Sequence, residues 1–263
     1  MRMVKATPSA ALILRDIRAA LDSRLDGKDR GDKTKSLVSK TPLKALGVRA
    51  SLVRAIAREV EGKTRPSIDY SAALALVDAA VARKVREEIL VSLEVLEHRQ
   101  KEFASGLFAK VEKWSAVADD MEVAEILGTR VAAPALRLEP AKLSVVKKWA
   151  KLKSVGKRHL AVLAATGLVM EGHREATAVL NLAEMLLDEQ SPLMVGAVAR
   201  LLRETTRVDA KAVQDFLFRR SIDGNPDILR AGSENLDAAR RAALIAKLEA
   251  QAALTAPLAA AER

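Results

Sequence analysis

Apolar residues at helical spacing, punctuated by caps and prolines, recur along this whole chain, and no segment alternates polar and apolar residues as a strand would. Leu52, Ile56 and Val60 repeat every fourth position, with Val53 widening the stripe. Ser191-Pro192 and Asn225-Pro226 pair a capping side chain with a proline at the first helical position, and Thr7-Pro8 does the same near the start. Ser51 and Asp209 are further caps, opening SLVRAIAREVEG and AKAVQDFLFRR. The pattern predicts a first helix ending near Leu25, a polar loop over 27–35 and a short helix after it. Helices then follow over YSAALALVDAAVARK, VREEILVSLEVLEHR, KEFASGLFAKVEKW and AVADDMEVAEILG, the last stopped by Gly128. Pro134 and Pro140 bracket a link. Helices resume over 141–153, 155–171, 173–189, 192–207, 210–222, 226–236 and 237–251.

Helices of this length joined by short turns pack beside their neighbours. The expected fold class is all-α: an α-solenoid of stacked antiparallel helix pairs, curved with a basic concave face. A compact bundle is the alternative, and the nearly all-apolar LAVLAATGLV fits an inner layer of either. One domain is expected over 1–255, with 256–263 a disordered tail. Hydrophobic residues are 49% of the chain but aromatics only 3%, so the core must be built mainly from Ala, Leu and Val, a composition that favours helix.

Several chemistries are excluded or disfavoured. Without cysteine there is no disulfide, thiolate nucleophile or thiolate-bound zinc. His98, His159 and His173 lie far apart, so no metal site and no cofactor is expected. No apolar run reaches the roughly 20 residues that span a bilayer, and Arg15, Asp16 and Arg18 interrupt the apolar N-terminal segment. A cytoplasmic monomer is expected, associated with the nucleoid if the source is bacterial.

The formal net charge is +10, and the positives are clustered. Lys142, Lys147, Lys148, Lys151, Lys153, Lys157 and Arg158 follow one another with no acidic residue between them, and Trp149 sits among them. Cations on stacked helices with an aromatic in their midst suit a phosphate backbone, so double-stranded DNA is the expected partner. Arg219-Arg220 and Arg240-Arg241 could extend such a track, or be solvated helix ends.

The order of these segments resembles the DNA alkylation repair glycosylases built from HEAT-like repeats, the AlkD-type family, over roughly residues 40–250. LGVRASLVRAIAREV is similar to that family's GVR turn and following helix, and KWSAVADDMEVAEILG to its tryptophan–aspartate helix. WAKLKSVGKRHLAVLA, SPLMVGAVARLLRET…VQDFL and ILRAGSENLDAARRAAL are similar to its later segments. The resemblance implies a concave, cationic groove that grips duplex DNA, and excision of cationic alkylated purines without extruding the base into a pocket. It implies an aspartate beside aromatic side chains as the catalytic group.

Counting back from Gly128 puts Asp120 in the aspartate's position; counting forward from Trp114 favours Ala118 or Asp119. Both carboxylates equally suit the early turns of a helix, where they favour its dipole. An alkylated purine leaves as a neutral base, so one carboxylate facing the sugar can stabilise the positive charge that builds there. Trp114 is a candidate to stack on the sugar or duplex, while Trp149 reads more readily as packing. Lys157 and Arg158 open a helix against its dipole, and the resemblance makes Arg158, then Lys157, phosphate contacts. Lys153, Lys151, Lys148 and Lys147 join them as DNA-binding candidates. The resemblance puts Arg200 where a lesion-supporting tryptophan usually stands. Arg203 is a further DNA-binding candidate or the ion-pair partner of an acidic neighbour. Two functions follow: excision of alkylated purines, or non-catalytic binding of damaged, bent or branched DNA. A scaffold for a protein partner fits the fold but leaves the charge unused.

Overall fold

The computed structural model of the chain describes residues 9–25, 41–64, 68–172 and 176–261, with side chains described for all of these except 63, 64 and 255–261. It is all-helical among the described residues, the one β-like contact being an isolated bridge between Lys44 and Val85. The chain divides into two compact units, residues 1–142 and 143–263.

The first unit holds α1 (Ala10–Asp22), α2 (Ala50–Thr64), α3 (Tyr70–Arg83), α4 (Arg86–Glu97), α5 (Leu107–Trp114), α6 (Met121–Ile126) and α7 (Ala133–Leu138). Here α3 packs on α1 and α4, and α2 and α6 also pack on α4. That leaves α4 buried from Arg86 to Leu96. Its first turn carries Glu87, whose two oxygens accept the backbone N–H groups of Leu46 and Gly47, each at 2.9 Å. Gly47 has a φ of 89°, a left-handed conformation that glycine adopts without penalty. The GVR turn is thus held by a carboxylate on another element.

The second unit holds α8 (Leu143–Ala150), α9 (Val155–Met170), α10 (Ala176–Glu184), α11 (Pro192–Thr206), α12 (Ala210–Arg220), α13 (Pro226–Gly232) and α14 (Ala238–Ala261). In this unit α9 lies between α8 and α11, and α11 between α9 and α13. The segment LAVLAATGLV is buried within α9. Ser191, Asp209 and Asn225 cap α11, α12 and α13 through their side chains.

Polar contacts show how successive pairs stack. Arg24 meets Glu59, Asp78 meets Lys110 and Trp114, and Arg86 meets Asp120 and Glu122. Phe108 meets Glu139, Arg130 meets Glu97, and Glu189 meets both Arg158 and Asn225. In each case the partners are 31 to 36 residues apart. An offset of about one helix pair is the register of an α-solenoid, in which each repeat bonds mainly to the next; Arg18 and Glu88, paired across 70 positions, reach further.

Several boundaries differ from the sequence reading. Ser9 caps α1, its Oγ accepting the Leu12 N–H at 3.3 Å; Thr7 and Pro8 lie outside the described residues, as does the loop expected at 27–35. Gly106, at φ 94°, splits the helix expected over 101–114. Gly128 does not stop a helix, and Pro134 does not start a link. The backbone is helical from Met121 to Leu138, with a π turn over Leu127–Ala132. Pro134 offers no N–H to the carbonyl four residues back, and its ring crowds that carbonyl. The ladder widens to compensate: Ala133 N–H bonds to Gly128, five residues back. α14 runs beyond 251, where the sequence pattern ended it, to Ala261.

Candidate nucleic-acid interface

The basic stretch occupies the end of α8, a short turn, and the start of α9. Lys151 N–H bonds to the Lys148 carbonyl and Leu152 N–H to that of Trp149, both at 3.1 Å, tightening the helix end into a turn. Ser154 then caps α9, its Oγ accepting the Lys157 N–H at 3.2 Å. Lys148, Lys151 and Lys153 are exposed and Lys147 is half-buried. None of these four makes an ion pair among the described residues. Trp149 is buried in the helix face beneath them, with the Lys157 Nζ 5.6 Å from its ring centroid. That is a packing position, with Lys157 placed for cation–π attraction.

Arg158 stands apart from the lysines. Its guanidinium pairs with Glu189 and donates to the carbonyls of Leu152, at 3.0 Å, and Lys153, at 2.7 Å. The cation opposing the dipole of α9 is therefore offset by a carboxylate from the next helix pair. Arg203 is also engaged: it donates to the Ala231 carbonyl at 3.0 Å and pairs with Glu234 at 3.3 Å. Arg200 is half-buried, with its Nη2 3.8 Å from the Met170 sulfur.

In the first unit, Asp119 and Asp120 part company. Asp119 is exposed, on the turn before α6. Asp120 is 2% exposed and caps α6, its Oδ1 accepting the N–H groups of Glu122 at 3.1 Å and Val123 at 3.0 Å. Its Oδ2 takes a hydrogen bond from Arg86 Nε at 2.9 Å, and Arg86 also pairs with Glu122. Burial alone would lower the pKa of Arg86, but the charges of Asp120 and Glu122 outweigh it and hold the guanidinium above its ordinary value. Trp114, 1% exposed, donates its Nε1–H to Asp78 at 2.8 Å. Asp78 also pairs with Lys110. Glu189, Arg86 and Asp78 escaped the sequence reading, because nothing local marks a partner more than thirty residues away.

Among the described residues no group of three or more acidic or histidine side chains is placed to hold a metal ion, and no helix is long and apolar enough to cross a membrane.

The profile of one protein family, DNA alkylation repair enzyme, matches residues 25–236, most of the chain. The chain belongs to this family. A solved structure, described as a predicted DNA alkylation repair enzyme from Enterococcus faecalis, shares the fold with a TM-score of 0.62 at 11% identity. The match covers 82% of this chain and 98% of that one. No curated protein matches the sequence. Membership of this family places the chain in DNA alkylation repair.

Proposed function

We propose that this family member grips duplex DNA bearing alkylated bases through the lysines at the α8–α9 turn. The observation that supports this reading is the contrast in charge balance. Arg158, at the same turn, and Arg203, on α11, are spent on internal partners, while Lys147, Lys148, Lys151 and Lys153 have no counter-charge among the described residues. Four such cations close together in sequence, three of them exposed, raise the local potential and attract phosphates. Arg158 acts mainly by holding the turn that carries them. The test is duplex binding measured across salt concentrations. Releasing counterions from four phosphates gives a slope of log affinity on log salt of about −3.6. Lys151→Glu with Lys153→Glu should make that slope shallower by about two and weaken binding alike across sequences. A slope unchanged by the double reversal overturns the assignment.

A second reading, excision of a cationic purine, is favoured by one observation: Asp119 is an exposed carboxylate beside the capping Asp120. In this reaction the bond between the sugar C1′ and the purine nitrogen breaks, and its electron pair neutralises the departing base. The sugar is left as an oxocarbenium ion. A carboxylate facing it lowers the barrier, and water then adds at C1′, giving up a proton to that carboxylate. The oxygens of Asp120 are already committed to two amides and a guanidinium, so the reading assigns the chemistry to Asp119. Asp119→Asn should abolish release of 7-methylguanine from methylated duplex with helical content intact. Undiminished release sinks the assignment.

A further inference from the structure

The turn that carries Lys151 and Lys153 also carries two exposed apolar side chains. Leu152 is 45% exposed and Val155 is 40% exposed, at either end of the Lys153–Ser154 pair. Leu152 and Val155 thus stand in water beside lysines that make no ion pair among the described residues, apolar bulk framed by positive charge.

We propose that the turn Lys151–Val155 is an apolar wedge that presses into a base step of duplex DNA and partly unstacks it while the flanking lysines hold the phosphates on either side. The inference rests on the duplex-binding reading above and adds how the duplex is altered. Two features support it. The charge pattern matches the occupant: a base step is an apolar target bordered by phosphates, and side chains such as Leu are the kind that wedge between steps. The turn is also stiff. Arg158 bonds to the carbonyls of both Leu152 and Lys153, Glu189 holds Arg158, and Asn225 Nδ2 donates to the Glu189 carbonyl at 2.7 Å. Ser154 fixes the other side as the cap of α9. A loose loop pushed against stacked bases would yield; a turn tied to two neighbouring elements transmits the load. Arg158 and Glu189 are thus positioning residues.

The wedge is tested with duplexes containing 2-aminopurine, whose fluorescence rises when it unstacks. Binding of the wild-type chain is expected to raise the fluorescence. Leu152→Ser with Val155→Ser should remove the rise while changing low-salt affinity by less than about threefold and leaving the salt slope unchanged, since the phosphate contacts stay. Both sites are exposed, and a helical circular dichroism spectrum equal to that of the wild type confirms folding. Glu189→Gln should reduce the rise by loosening the turn, and the salt slope should steepen by up to about one as Arg158 loses its counter-charge. Wild-type binding without a rise at any labelled step, or a rise that survives the double serine change, overturns the wedge alone. A wild-type chain that binds no duplex at low salt overturns the binding reading and the wedge with it.

Discussion

Asp120 shows how much one side chain can be asked to do. It ends a turn, starts α6 and neutralises Arg86, all from a buried position. Replacing it with alanine strands the guanidinium and frees two backbone amides. We expect Asp120→Ala to destabilise the first unit by about 3 kcal/mol, measured by urea denaturation, the loss of a buried ion-pair partner outweighing the loss of a cap. Glu94 makes a second prediction. Burial raises its pKa, against the smaller opposing pull of Arg130. A raised carboxylate favours the folded state while protonated, so its contribution is full below the unfolded pKa and lost as pH rises through the folded one. Glu94→Gln removes that loss, so its stability relative to wild type should improve between pH 4 and pH 7; a constant difference would refute this. At this scale the sequence showed local chemistry well. Ser191, Asp209 and Asn225 were legible as caps because a cap bonds within three residues. The partner of Asp120 was not, because Arg86 lies 34 positions away.

Among the elements, the helices with strong stripes were legible and their interruptions were not. Gly128 and Pro134 carry the usual marks of a stop and a link, yet the backbone stays helical through both. Val131, Ala132, Ala133 and Ala135 are fully buried there, and that packing outweighs the local preference. Close approach of helices also has a signature in glycine. A Cβ on Gly232, at the end of α13, would stand 2.7 Å from Leu202 Cδ1 and 3.1 Å from Leu202 Cβ on α11. Leu202 is itself fully buried and has no room to retreat. Gly232→Ala should therefore cost about 1–3 kcal/mol by overpacking, read as a lower denaturation midpoint. Gly196, with nothing near its Cβ position, should accept alanine without such a loss and serves as the control.

For the molecule as a whole, fold class and family were legible because both are carried by order along the chain: helix after helix, then a basic stretch at a fixed place. What the sequence could not reveal was which charges are spent. The net charge of +10 counts Arg158 and Lys151 alike, whereas folding leaves one paired and the other available. The chain also holds its two tryptophans in different compact units, Trp114 in the first and Trp149 in the second. One indole is tied to a carboxylate and the other lies beneath an ammonium group. Each unit therefore contains its own optical reporter. A Trp149→Phe chain would display the melting of the first unit alone, and a Trp114→Phe chain that of the second, so intrinsic emission can tell whether the two melt at one temperature or in succession.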